Sequence, residues 1–131
     1  MVIKSQFVLT FLSLFILVIS LSFAETKTIE GITRVVDGDT LKIGKSQIRL
    51  HGIDAPESKQ RCRDQKLSDW LCGQEATKAL RKKINNRVVQ CLSDKKDKYK
   101  RYIAVCYVDG VNLNQWLVLN GWAVAYQKYS K

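Results

Sequence analysis

The sequence predicts a small α+β domain, with strands first and helices set among them. Two observations carry this. Five short runs alternate apolar and polar residues with a period of two, and turn residues bound them. One run with apolar residues every fourth position falls between the third and fourth strands, and a second helix follows the fifth.

The chain opens with Lys4 and an uncharged stretch over residues 6–23, and Ser22 and Ala24 stand at small-residue positions before Glu25. This is the pattern of a secretory signal peptide over 1–24. It predicts a domain spanning 25–131, secreted or periplasmic after cleavage. The apolar run is also near the length of a bilayer span, so an N-terminal membrane anchor is the alternative.

Residues 29–37, IEGITRVVD, are rich in β-branched side chains and end at the turn signal Asp37-Gly38. Residues 40–53 read as a hairpin turning at Gly44-Lys45. Alternation puts Ile48 and Leu50 on the core face, and Arg49 and His51 on the other. Residues 56–72 form a long, polar, irregular connection, a length that is usually functional or tethered. In 73–86, Ala76, Leu80 and Ile84 make the apolar stripe of a helix with a basic outer face. Residues 87–93 and 101–108 are strands joined through DKKDKYK. Asp109-Gly110 turns the chain, and Asn112 with Gln115 reads as the start of a helix. Leu113, Trp116 and Leu117 make the stripe of that helix, Gly121 closes it, and residues 122–126, WAVAY, pack last. Trp70, Trp116 and Trp122 read as core or rim packing. Three strands, a helix, two strands and a helix is the order of an OB-fold barrel; periodicity alone leaves other small mixed folds open.

Charge and cysteines narrow the partners. Lys and Arg number 22 against 12 Asp and Glu, a net charge of +10. Such an excess suits a polyanion, nucleic acid first and an anionic membrane surface second. Four cysteines in an exported domain imply disulfides, with three possible pairings. Cys62–Cys72, closing the long loop, and Cys91–Cys106, inward on paired strands, are favoured. The rival is a zinc site, which the absence of any C-x-x-C and the single histidine argue against.

Against this basic background, RLHGIDAPE at 49–57 sets two acids around the one proline. Asp39 shares parity with Leu41 and Ile43, so it points toward the barrel mouth. Asp54 and the Ala55 carbonyl follow the neighbouring strand. Two carboxylates, a main-chain carbonyl and water make an all-oxygen site for a hard cation, Ca²⁺ or Mg²⁺. Glu57, held beyond Pro56, is placed to take a proton from an attacking water. Arg49 and Arg101 offer forked donors for phosphate. Lys98 and Tyr99, with Tyr126 and Tyr129, mix charge and rings as a nucleic-acid strand requires. His51 is a second candidate base. Each of these residues has an ordinary reading as a turn, surface or core residue; the set is what points to chemistry.

VVDGDTLKI, IRLHGIDAPE and DKYKRYIA, in this order, resemble the three motifs of the thermonuclease, or staphylococcal-nuclease-like, family, and residues 110–126 are similar to its next helical stretch. The four-cysteine arrangement is similar to that of exported bacterial members. The resemblance covers roughly residues 30–129. It implies an OB-fold, a five-stranded β-barrel with two or three helices, and a Ca²⁺-dependent endonuclease. Such an enzyme acts on single-stranded or flexible DNA and RNA with low sequence specificity and leaves 3′-phosphates. Asp39, Asp54 and the Ala55 carbonyl then match the metal ligands, and Glu57 the general base. Arg49 and Arg101 match the phosphate-binding arginines, and Lys98 and Tyr99 the contacts to a nucleotide phosphate. A monomer is implied. The alternative is an OB module that binds nucleic acid without cutting it. Two departures stand out: Lys100 where the family has glycine, and a chain that stops at Lys131 before a further helix. The second predicts lower stability, partly offset by the disulfides.

Overall fold

A computed structural model describes residues 23–126. The expected leader falls almost wholly outside them, and Tyr129 outside them altogether. Five strands close a barrel. β1 (Lys27–Asp37) pairs with β2 (Thr40–Ile43) on one edge and with β7 (Val88–Lys96) on the other. β2 pairs with β3 (Ser46–Leu50), β7 pairs with β8 (Tyr102–Val108), and all these ladders are antiparallel. Parallel pairing of β3 with β8, Ile48 opposite Tyr102 and Leu50 opposite Ala104, completes the ring. This is the OB arrangement, and the class is α+β. Short strands decorate it. β4 (Ile53–Asp54) pairs with β10 (Val124–Ala125), β5 (Cys62–Arg63) with β6 (Asp69–Trp70), and β9 (Val111–Asn112) with β8.

Alternation places the core as the sequence implies. Leu41, Ile48, Leu50, Val89 and Val108 point inward and are buried. Helix α1 (Cys72–Ile84) packs on β1 and buries Ala76, Leu80 and Ile84 against them. Its last turn carries Arg81, Lys82 and Lys83, which suits the negative end of the helix dipole. Helix α2 (Leu113–Leu119) packs on β8 through Leu113 and Leu117. Asn112 Oδ1 accepts the Gln115 N–H at 3.0 Å, so the expected cap forms. Trp116 and Trp122 pack against the core edge, whereas Trp70 stands half-exposed on β6.

Three boundaries differ from the sequence expectation. The first helix begins at Cys72 and ends at Ile84, because Asn85 and Asn86 both take left-handed backbone, φ 48° and 56°. β7 runs on to Lys96, since a bulge between Ser93 and Lys95 lets a polar, lysine-rich segment keep pairing with β8. The connection at 56–72 is not wholly irregular. The Asp64 carboxylate accepts from the Lys66 and Ser68 N–H groups, and that turn supports the β5–β6 pair.

Both favoured disulfides are present, Cys62–Cys72 and Cys91–Cys106. The zinc reading of the cysteines is thereby excluded. Cys91 and Cys106 face each other directly across β7 and β8 and are fully buried. No helix among the described residues is long and apolar enough to cross a membrane.

Candidate active site

The acidic turn between β1 and β2 is built by close approach. A Cβ on Gly38 would meet Ala55 Cβ at 2.7 Å and Ala76 Cβ at 3.2 Å, so only glycine lets this turn settle on β4 and α1. Asp39 is thereby buried, at 6% exposure. Its Oδ2 accepts the Ala55 N–H at 2.9 Å and sits 2.8 Å from Arg49 Nη1. Its Oδ1 accepts from the Thr40 hydroxyl, and its own N–H donates to Asp37 Oδ1. Burial pushes the Asp39 carboxyl up to about 6; the Ala55 N–H and Arg49 pull it down, and the nearby Asp37 raises it further.

Arg49 joins the two halves of the site. Nη1 reaches Asp39 while Nη2 reaches Asp54 Oδ1 at 3.3 Å, so both carboxylates meet on one guanidinium. The Asp54 side chain is 59% exposed. The buried Asp39 and exposed Asp54 carboxylates, oxygen donors of the kind a hard cation takes, share the Arg49 guanidinium, and the Ala55 N–H faces Asp39. Among the described residues no cluster of three or more His, Cys, Asp or Glu side chains forms a closed metal cage. A cation there would therefore need water or main-chain oxygen to fill its shell.

Arg101 immediately precedes β8 and is fixed by Asp97. Its Nε donates to Asp97 Oδ2 at 2.7 Å, and its N–H and that of Tyr99 donate to Oδ1 at 3.0 and 2.9 Å. Burial works to raise the Asp97 carboxyl. The Arg101 side chain, then the Arg101 and Tyr99 N–H groups, outweigh it and hold Asp97 below the usual carboxylate range. The Arg101 guanidinium lies 5.5 Å from the Tyr99 ring, and Lys98 Nζ 5.1 Å from the same ring.

The side chains converge on one groove of about 550 Å³. Arg49, Arg101, Lys98, Tyr99 and Tyr126 line it, together with His51 and Lys95. Parallel pairing is the cause: Arg49 stands opposite Ile103 across the β3–β8 joint, two residues beyond Arg101. Tyr126 is 44% exposed here, not core. Asp39 and Asp54 reach the groove through Arg49. Glu57 is exposed and does not line the groove, and its carboxylate makes no hydrogen bond or ion pair among the described residues. Its main chain is held instead, with the Glu57 N–H donating to Gln60 Oε1 and the Glu57 carbonyl accepting the Gln60 N–H.

Sequence reasoning missed Asp97, Asp37 and Gln60. Asp97 carried a usable signal, an aspartate opening a tight turn four residues before the arginine. Lys27 on β1 and Lys96 on β7, flanking the Tyr102 ring at 4.8 and 4.3 Å, extend the basic surface.

Residues 47–131 match the family model described as staphylococcal nuclease homologue. An uncharacterized endonuclease of Haemophilus influenzae is 35% identical over 98% of this chain and 68% of its own length. A succinoglycan biosynthesis protein, ExoI, of Rhizobium meliloti is 36% identical over 72% of this chain and 50% of its own. Endonuclease YncB of Bacillus subtilis is 33% identical over 72% of this chain and 47% of its own. The chain thus spans half to two thirds of the length of these relatives.

Proposed function

Because this chain belongs to the staphylococcal nuclease homologue family, we propose that it is a metal-dependent endonuclease hydrolysing phosphodiester bonds in DNA and RNA. The observation that carries the reading is the shared groove, where Arg49 and Arg101 stand with two carboxylates fastened to the first. A basic, aromatic-lined channel suits a single or flexible strand without regard to sequence. Lys98, Tyr99 and Tyr126 hold it by charge and stacking. Asp39, Asp54 and the Ala55 carbonyl would hold Ca²⁺, which would supply positive charge to offset that of the phosphate.

Glu57 takes a proton from a water, whose oxygen bonds to phosphorus. The bond to the 5′ oxygen breaks and that oxygen picks up a proton, leaving a 3′-phosphate and a 5′-hydroxyl. Arg49 and Arg101 offset charge on the phosphoryl oxygens as it builds. The terminal nitrogens of Arg101 make no hydrogen bond among the described residues, so they are available for this. The enzyme works as a monomer, exported to the periplasm or medium under the leader at 1–24.

Purified protein incubated with plasmid and with single-stranded DNA tests this. Cleavage that needs Ca²⁺ and stops in EGTA is expected, with Glu57→Ala lowering turnover by orders of magnitude and leaving the melting temperature unchanged. A gel shift without cleavage at any Ca²⁺ concentration would instead support the non-cutting OB module. Unchanged turnover in Glu57→Ala would remove the base assignment alone.

A further inference from the structure

Glu57 has to be aimed, yet among the described residues nothing grips its carboxylate. What is gripped is the short segment that follows it. Residues 57–60 make a tight turn, the Gln60 N–H donating to the Glu57 carbonyl at 2.8 Å. The Gln60 side chain reaches back to accept the Glu57 N–H at 3.2 Å. The Gln60 carbonyl in turn accepts the Gly73 N–H at 3.2 Å, in the first turn of α1. Two residues beyond Gln60 the chain is covalently bound to that same turn through Cys62–Cys72. Leu71 caps α1 without any side-chain hydrogen bond, so the strap substitutes for a conventional cap. The fit is close, since a Cβ on Gly73 would lie 1.7 Å from the Glu57 carbonyl oxygen.

We propose that this strap, Gln60 with the Cys62–Cys72 bridge seated on Gly73, positions Glu57 for proton transfer, and that turnover therefore depends on the bridge being closed. The inference rests on Glu57 being the base. Gln60 and Gly73 are positioning residues, acting only through the main chain of Glu57. The bridge is also the one that solvent reagents reach. Cys62 is partly exposed, although its partner Cys72 is buried, whereas Cys91 and Cys106 are both fully buried. A dithiol reductant gives two electrons and two protons to Cys62–Cys72, forming two thiols and its own cyclic disulfide. With the bridge open, three hydrogen bonds at a solvent-exposed turn are left to hold the base. A chain still in a reducing compartment would then bind nucleic acid but turn it over slowly.

The test compares kcat and KM on a single-stranded oligonucleotide in Ca²⁺ with the dissociation constant of the same oligonucleotide in EGTA. The proteins are the wild type, C62A/C72A, Q60A, G73A and E57Q, each with its melting temperature. Wild type is also measured after dithiothreitol under native conditions and after reoxidation. Misplacing a reacting group by about 1 Å costs on the order of 100-fold in rate. The expectation is a 10- to 100-fold loss of kcat in the strap variants and in reduced wild type, recovered on reoxidation. KM and the dissociation constant should stay within about twofold, since the strap variants leave the groove's charges and rings in place. Should C62A/C72A fold poorly, Q60A and reversible reduction carry the same readout. If E57Q loses kcat while the strap variants and reduced protein keep it, the positioning role is wrong and the base reading survives. If E57Q keeps kcat, both fall together. A parallel fall in affinity and turnover would mean the strap is merely structural, and would also overturn the proposal.

Discussion

Asp97 shows how one side chain can hold a site without touching substrate. Its two oxygens take three donors from Tyr99 and Arg101, and Arg101 faces the groove as a result. Its pKa is held low by these bonds against the opposing pull of burial, so the sign of its linkage is fixed. A depressed carboxyl contributes stability above its unfolded pKa, near 4, and loses it as pH falls through the native value. Asp97→Asn should therefore melt earlier than wild type at pH 7, and the gap should close toward pH 3. Melts at both values check this; a gap of the same size at pH 3 means the ion pair is not the cause. The same variant frees Arg101 to swing, so kcat should fall about 10-fold or more with the fold intact.

At the scale of single elements, the β7–β8 turn is one place where the chain departs from the most favourable backbone. Lys100 sits at φ 65°, and its N–H closes the turn onto the Asp97 carbonyl at 3.0 Å. Left-handed backbone costs a residue with a Cβ about 1–2 kcal/mol, while glycine gives back roughly 0.5–1 kcal/mol in the unfolded chain. Lys100→Gly should stabilise by about 0.5–1 kcal/mol in urea titrations, and a loss of stability would show that the lysine side chain contributes in its own right. The position had been legible as a departure from the family pattern, and its backbone explains why glycine suits it. Alternation was a good guide wherever a strand is half-buried: Ile48 and Leu50 in, Arg49 out, Cys91 and Cys106 facing each other. It failed where side chains do not decide. Two-residue strands such as β5 and β6 have no period to read, and the bulge after Ser93 carries β7 into a segment whose composition reads as loop. The grip on Glu57 was hidden for a related reason. It is made by main-chain groups of residues 57, 60 and 73 and by the Gln60 side chain, a set with no periodicity to read.

The whole molecule is held shut at two points. Asn114 is buried. Its amide group donates to the carbonyls of His51 and Ala104, at 3.0 and 3.1 Å, and its Oδ1 accepts the Cys106 N–H. It fastens α2 to both strands of the parallel joint. Asn114→Ala leaves buried main-chain groups without partners, and should cost roughly 2–3 kcal/mol in denaturant titrations. A cost under 0.5 kcal/mol would show that water replaces the amide. The second point is Cys91–Cys106, closing a separation of 15 residues. Loops of that size correspond to about 3 kcal/mol of unfolded-chain entropy, so C91A/C106A should destabilise by that order. The parallel joint itself has a consequence for when a cutting centre first exists. Segments 48–50 and 102–104 meet only after most of the domain has been synthesised, and long-range pairings of this kind form slowly. Until that ring shuts, Arg49 and Arg101 belong to separate pieces of chain. A half-made polypeptide therefore lacks the shared groove.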